Sequence, residues 1–294
     1  LLAKPLAALV IVAIIGYPAR TALTVALGLA QIGEFSFILG QVAFEHGLLS
    51  EDGRHILVAA AMVSITLNPL LFGLPLQDQT PPELQDMKAY FLNEKREVLA
   101  AQALPIERRK DGSHGLRGGD TVRLAAWRVG FGIRAFDQMT GNTQNKNGLC
   151  TLTLLADDQV AFQWRANEID FDENRYLNAH TDYAARKRFG AWFHRCFVLP
   201  GDRLSNYTRT DNLGAIPIYK EKPVKITIRA ADAHDNTSTV HFWVLRDDPA
   251  PPTPLPYQFE LPHDVESRVD LDGFSISFPK GTLYETLFFR YAAT

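Results

Sequence analysis

One boundary constrains this chain more than any other feature. Up to Leu67-Asn68-Pro69-Leu70-Leu71-Phe72 the sequence runs in long apolar stretches, and from Gln77 onward it alternates in short ones. Runs that are apolar all round belong to helices buried on every side, whereas period-two alternation belongs to strands with one face buried. One core cannot serve both patterns, and 294 residues is length for about two domains.

Composition adds little until it is read locally. Residues 56–76 carry no charge, whereas residues 107–123 carry Glu107, Arg108, Arg109, Lys110, Asp111, Arg117, Asp120 and Arg123. The formal net charge is −3, which gives no polyelectrolyte signal, so no nucleic-acid partner is expected. The chain opens on Leu1-Leu2 without a charged segment followed by a small-residue cleavage site, and is read as starting inside a helix rather than at a signal peptide. Cys150 and Cys196 are expected as free thiols, although an oxidising compartment would allow them to pair.

In the apolar half, residues 6–17 are uncharged but shorter than the roughly 20 residues a spanning helix needs, and extending them backward brings in Lys4. Residues 21–44 and 56–76 are long enough. Residues 1–72 therefore predict two to three transmembrane helices in contact with a lipid bilayer. The turns between them fall at Pro18-Ala19-Arg20 and at residues 46–54. The middle helix holds Gln31, Gly33, Glu34, Ser36 and Gln41. An intramembrane carboxylate marks an ion or proton pathway. Beside Gly33 it is equally a residue at an interface or at the cap of a broken helix, and the residue types alone leave both readings open. Arg20 puts its loop on the cytoplasmic side by the positive-inside rule.

The alternating half predicts strands at residues 87–92, 121–126, 129–136, 149–155, 159–164, 224–230 and 238–245, with a hairpin at Asp157-Asp158 and another around residues 232–237. Residues 183–193 predict a short helix. Many short strands with few helical periods predict an all-β sandwich over residues 77–248. Pro249, Pro251, Pro252, Pro254, Pro256 and Pro262 predict an extended linker over 249–262, and residues 263–294 predict the start of a further β unit.

Two resemblances bear on function. Gln31-Ile32-Gly33-Glu34-Phe35 lies in a longer match that begins at Arg20. With Leu48-Leu49, Gly53-Arg54 and Ile65 through Phe72, it resembles the last three transmembrane helices of Kef-type monovalent cation:proton antiporters. The resemblance covers nearly all of residues 1–72. It implies that Gln31, Gly33 and Glu34 occupy a family motif and that Lys4 matches a lysine of the preceding helix. It also implies exchange of potassium or sodium for protons, with the transport carboxylate on an earlier helix and the chain after Phe72 in the cytoplasm.

The second resemblance rests on Val129 through Asp137, Asn145 through Gly148, Phe171 through His180 with Asp182-Tyr183, Cys196 through Gly201, and Phe278-Pro279-Lys280-Gly281. These look like the region after the catalytic domain of lysostaphin-type zinc endopeptidases of Bacteroidetes-like bacteria. That implies an Ig-like accessory module, murein or a peptidase catalytic domain as partner, and an extracytoplasmic location. The family's His-x-x-x-Asp and His-x-His zinc ligands are absent: no two of His46, His55, His114, His180, His194, His234, His241 and His263 stand two apart, and none has Asp four residues on. Catalysis, metal and cofactor are therefore not expected. Leu67 through Phe72 suits both families, so a join of two genes is expected there.

Among the remaining candidates, Arg175, His180 and Asp182 form either a polar site or a structural network anchoring the segment after Phe171. Asp232, Asp235 and Asn236 suit calcium, or a tight hairpin, which needs the same residue types. Trp127, Trp164, Trp192 and Trp243 suit a glycan surface or a core. The main reading is a non-catalytic β module of a cell-wall metallopeptidase tethered to a bacterial membrane. The alternative is the C-terminal membrane part of a cation:proton antiporter that works only with its other helices.

Overall fold

Short helices and strands with abrupt ends give the chain its form. A computed structural model describes residues 3–17, 19–30, 34–72, 78–110, 112–140, 146–248 and 256–291. They fall into two compact units, residues 1–79 with 139–145 and residues 80–138 with 146–294.

The first unit holds four helices: α1 (Ala3–Ile14), α2 (Ala19–Ala30), α3 (Glu34–Glu45) and α4 (Glu51–Phe72). The expectation of two to three transmembrane helices is overturned, because among the described residues no helix is long and apolar enough to cross a membrane. The physical reason is length. The apolar run of residues 21–44 is divided between α2 and α3, and α1, α2 and α3 have 12 residues each. At about 1.5 Å per residue each is far shorter than the roughly 30 Å hydrocarbon layer. The longer α4 carries Glu51, Asp52 and Arg54 in its first turn. Ala22, Ala26 and Ala61 are buried, so these helices approach through small residues. The large side chains Leu6, Ile11, Ile14, Ile38, Leu39, Ile56 and Met62 stay exposed. The Arg54 guanidinium lies 4.5 Å from the Phe44 ring centroid.

The second unit is built from strands. In chain order they are β1 (Glu83–Leu92), β2 (Val98–Leu104), β3 (Ile106–Arg108), β4 (His114–Leu116), β5 (Thr121–Leu124), β6 (Arg128–Phe136), β7 (Thr151–Ala156), β8 (Gln159–Arg165) and β9 (His194–Arg195). There follow β10 (Tyr207–Thr210), β11 (Ile216–Pro217), β12 (Val224–Ala231), β13 (Thr237–Arg246), β14 (Phe259–Leu261), β15 (Ser267–Leu271), β16 (Phe274–Phe278) and β17 (Leu287–Phe289). One sheet runs β11-β6-β1-β2, with β9 also on β6. A larger sheet runs β10-β8-β7-β12-β13-β4-β3, with β5 also on β13. Two hairpin-sized sheets, β14-β17 and β15-β16, lie beyond them.

The Ig-like form is corrected as well. An Ig fold has two antiparallel sheets, but here β4 and β5 both run parallel to β13. The large sheet is mixed because the chain reaches β13 only after a long excursion, so its direction is not set by a hairpin with β4 or β5. Residues 249–255 of the expected proline-rich linker lie outside the described residues, and β14 occupies 259–261 within the rest of it.

Alternation in the strands makes the core. Along β13, Val240, Phe242 and Val244 are buried while His241 and Trp243 face outward. Along β12, Val224, Ile226, Ile228 and Ala230 are buried. From the smaller sheet, Met87, Ala89, Phe131 and Ile133 enter the same cluster. Phe131 meets Phe242 edge to face at 5.4 Å between centroids and 79° between planes. The β7–β8 hairpin turns on Asp157 and Asp158, both at positive φ (48° and 64°), as a two-residue type I′ turn requires. Cys150 and Cys196 are free thiols.

The C-terminal residues complete an edge of this unit. The Gly201 amide donates to Tyr284 O at 2.6 Å, and the Tyr284 hydroxyl donates to Arg175 O at 2.7 Å. The Val98 amide donates to Glu285 Oε2 at 2.9 Å. A methyl group at position 201 would come within 2.6 Å of Leu283 O and 2.9 Å of Tyr284 Cα. Gly201→Ala should therefore loosen residues 281–287, at a cost of about 1–3 kcal/mol, and admit proteolysis there; an unchanged cleavage pattern would refute this docking. Phe242→Ala should cost about 3–5 kcal/mol in denaturant unfolding of the β unit, since its ring is 0% exposed.

Candidate functional site

Polar side chains meet where the segment between β8 and β10 folds back on the smaller sheet. A 3₁₀ turn, Phe171–Tyr176, leads into helix α5 (Leu177–His180) and then helix α6 (Tyr183–Phe189). Asp182 caps α6, accepting from the Ala185 amide at 3.0 Å. This satisfies one of the unpaired amides of a first helical turn. Gly190 ends α6 in the left-handed conformation at φ 66°, the usual helix stop.

Asp182 is more than a cap. Its Oδ2 accepts from Lys88 Nζ at 3.0 Å and from the Tyr90 hydroxyl at 2.9 Å, both on β1. Burial works against its charge, but the bonds from Ala185, Lys88 and Tyr90 win and hold the carboxyl below its ordinary value. Burial first, and then the Asp182 charge, push the Tyr90 phenol well above its own. Beside it the Arg195 Nη1 donates to Ala179 O and to Thr181 O, each at 2.6 Å. Gly132 faces Arg195 in the ladder, and a Cβ there would stand 2.8 Å from the Tyr90 ring.

His180 belongs to a second set of contacts. Its Nε2 lies 3.2 Å from His194 Nδ1, and its ring stacks on Trp164 at 4.5 Å and 19°. Tyr207 donates to Asp202 Oδ2 at 2.6 Å, and the same hydroxyl lies 3.5 Å from His180 Nδ1. An ionised carboxylate only accepts, so the chain has one direction: His194 Nδ1–H to His180 Nε2, His180 Nδ1–H toward the Tyr207 oxygen, Tyr207 O–H to Asp202. This assigns the tautomers from the network. Burial lowers His194 to about 4. Burial, with His194 and Arg195 nearby, lowers His180 well below its ordinary value. Both rings are therefore neutral near pH 7. Burial also raises Asp202, against its bond from Tyr207, and pushes the Cys196 thiol up, so it offers no thiolate nucleophile. A cavity of about 710 Å³ opens above the pair, lined by Trp164, Phe171, Arg175, His180, Trp192 and His194 among others.

The structure thus distributes the three residues grouped from sequence. Arg175 donates through Nη2 to Gly281 O at 3.3 Å and Thr282 O at 2.8 Å, His180 joins His194, and Asp182 joins Lys88 and Tyr90. Asp232 accepts from the His234 and Asn236 amides at 2.7 and 2.9 Å, and Asp235 takes φ 64°, the geometry of a tight hairpin. Of the four tryptophans Trp164 is buried, while Trp127, Trp192 and Trp243 are exposed. In the helical unit Lys4 is exposed on α1. Gln31 and Gly33 lie outside the described residues, and Glu34 is the first residue of α3, its side chain outside them too. Sequence reasoning passed over Lys88, Tyr90, His194, Arg195, Asp202 and Tyr207. The available signal was a polar Lys88-x-Tyr90 pair within an apolar strand, and His194-Arg195 directly before the apolar run Cys196 to Leu199.

Known proteins match the other end of the chain. Residues 1–77 match the family described as sodium/hydrogen exchanger, transmembrane. The chain is also similar to the putative cation/proton antiporter YbaL of Escherichia coli (strain K12), 49% identical over 74 residues, which is 25% of this chain and 13% of that protein. The chain therefore spans about an eighth of the length of that relative. No solved structure matches. The peptidase resemblance drawn from residues 68–294 gains no support from these matches.

Protonation supplies a test of the imidazole pair. Folded-state values below the ordinary 6.5 mean that the unfolded chain binds more protons at mildly acid pH, so stability rises with pH there. The contribution of His194 is full above pH 6.5, falls as pH drops, and levels off near pH 4; it is on the order of 3 kcal/mol. The thermal midpoint of the β unit, followed by near-ultraviolet circular dichroism, should fall across that window, and His194→Gln should flatten the fall. A slope that His194→Gln leaves unchanged would refute a neutral His194.

Proposed function

We propose that residues 1–77 are a piece of a monovalent cation:proton exchanger and that they contribute to exchange only together with the rest of such a transporter. The observation that carries this is the match of that segment to the exchanger family, with 49% identity to a putative antiporter over 74 residues. The exposed apolar side chains of α1 to α4 support it. A helical unit with Leu6, Ile11, Ile38, Leu39, Ile56 and Met62 in the open has a large surface that favours burial. In this reading neighbouring helices and the lipid of a bacterial membrane cover that surface, and Lys4, Gln31, Gly33 and Glu34 belong to the ion pathway. An ionisable residue among such helices is there for an ion or a proton.

In the same reading the β unit is a non-catalytic attachment, and the two parts meet at a join within residues 67–72. The test of exchange is a segment swap. A YbaL-like transporter carrying residues 1–77 of this chain in place of its own matching segment should exchange cations for protons in inverted membrane vesicles. Glu34→Gln in that swap should remove most of the exchange. A swap that reaches the membrane at normal levels and does not transport would overturn the reading. The join is tested by long single-molecule reads of the source DNA: reads that diverge at codons 67–72 support it, and one uninterrupted frame in every read refutes it.

A further inference from the structure

The cavity above the imidazole pair carries chemistry that the exchanger reading does not use. Its volume, about 710 Å³, is that of a small-molecule site. Its wall is largely apolar, with Leu149, Ile169, Phe171 and Trp192 among its residues. Phe171 is 91% exposed and Trp192 is 46% exposed, so two aromatic faces stand open to whatever enters.

Two further observations say what kind of molecule fits. The first is an unpaired donor. Trp164 lines this cavity and is only 4% exposed, yet its buried indole Nε1–H has no acceptor among the described residues. A buried N–H without a partner costs on the order of 1–3 kcal/mol; because the atom itself is covered, a ligand oxygen relieves it only once the side chains over it shift. The second is charge. Arg175 and Arg186 are lining residues, and the Arg186 guanidinium lies 3.8 Å from the Trp192 ring centroid with no ion pair among the described residues. Stacking leaves the edge of a guanidinium, where its N–H donors lie, free for a planar anion. Asp172 is the one carboxylate among the described lining residues, so two fixed cations face one anion.

We propose that this cavity binds a small aromatic carboxylic acid. The ring stacks between Phe171 and Trp192, a carboxylate oxygen takes the bond from Trp164 Nε1–H or from Arg186, and the second oxygen pairs with the remaining donor. His180 and His194 form the floor and add no charge.

The test uses the full chain and three probes: 3-phenylpropionate, the neutral 3-phenylpropanol, and propionate. Binding is read by ligand-observed nuclear magnetic resonance titration. The acid should bind saturably, with the alcohol and propionate each weaker by about ten-fold or more. Arg186→Ala should bring the acid down to the affinity of the alcohol, and Trp164→Phe should weaken it while keeping a ring against His180. Equal binding of acid and alcohol, no saturation by the acid at millimolar concentration, or an Arg186→Ala variant that binds the acid normally would each overturn the proposal. The acid-to-alcohol ratio is read on the unaltered chain, so it decides the matter even where a variant fails to fold.

Discussion

The β unit depends on apolar contact between the inner faces of its two sheets, and the Phe131–Phe242 edge-to-face pair is its clearest instance. Neither sheet could stand in water with Met87, Ile133, Ile226 and Val240 uncovered. Burial of these side chains supplies the drive, and the period-two alternation of β12 and β13 decides which side chains take part. Because that contact is continuous, the outer faces and the edges of the sheets are the places left for polar groups.

The polar network lies on the other face of the smaller sheet, where Lys88 and Tyr90 of β1 alternate with the core residues Met87 and Ala89, and it can lie there because its members satisfy one another. Arg195 is 8% exposed and fills two backbone carbonyls that α5 and the residue after it would otherwise leave open. Asp182 draws Lys88 and Tyr90 of β1 to the start of α6, which ties a short helix to a strand about ninety residues earlier in the chain. Between them His180 and His194 stay uncharged. A charged imidazole at that depth would need an anion that the two rings do not provide for each other.

The strands were the legible part of this sequence. Residues 129–136, 159–164, 224–230 and 238–245 alternate, and strands form over nearly those residues. β2 escaped notice because Ala100, Ala101, Gln102 and Ala103 have weak strand preference, and their place comes from pairing with β1. The apolar half misled for a related reason: hydropathy reports whether a run is long and apolar, not where a helix within it stops. Of the site, Arg175, His180 and Asp182 in the segment after Phe171 were visible as a polar set. Its partners were not, since the bonds from Asp182 to β1 and from His180 to His194 follow from sheet register and chain return rather than from spacing. The likeness of the first 72 residues to an exchanger family was legible because it rests on a contiguous string of residue identities, which needs no tertiary knowledge to read.

The docking of the C-terminal segment also bears on the order in which the protein can be finished. Gly201, Val98 and Glu97 await partners at Tyr284, Glu285 and Thr286. A chain emerging from the ribosome has made both large sheets long before those residues appear. Its edge around Val98 and Gly201 stays wet and unpaired until residues 284–286 follow, and the β unit closes only when they have docked.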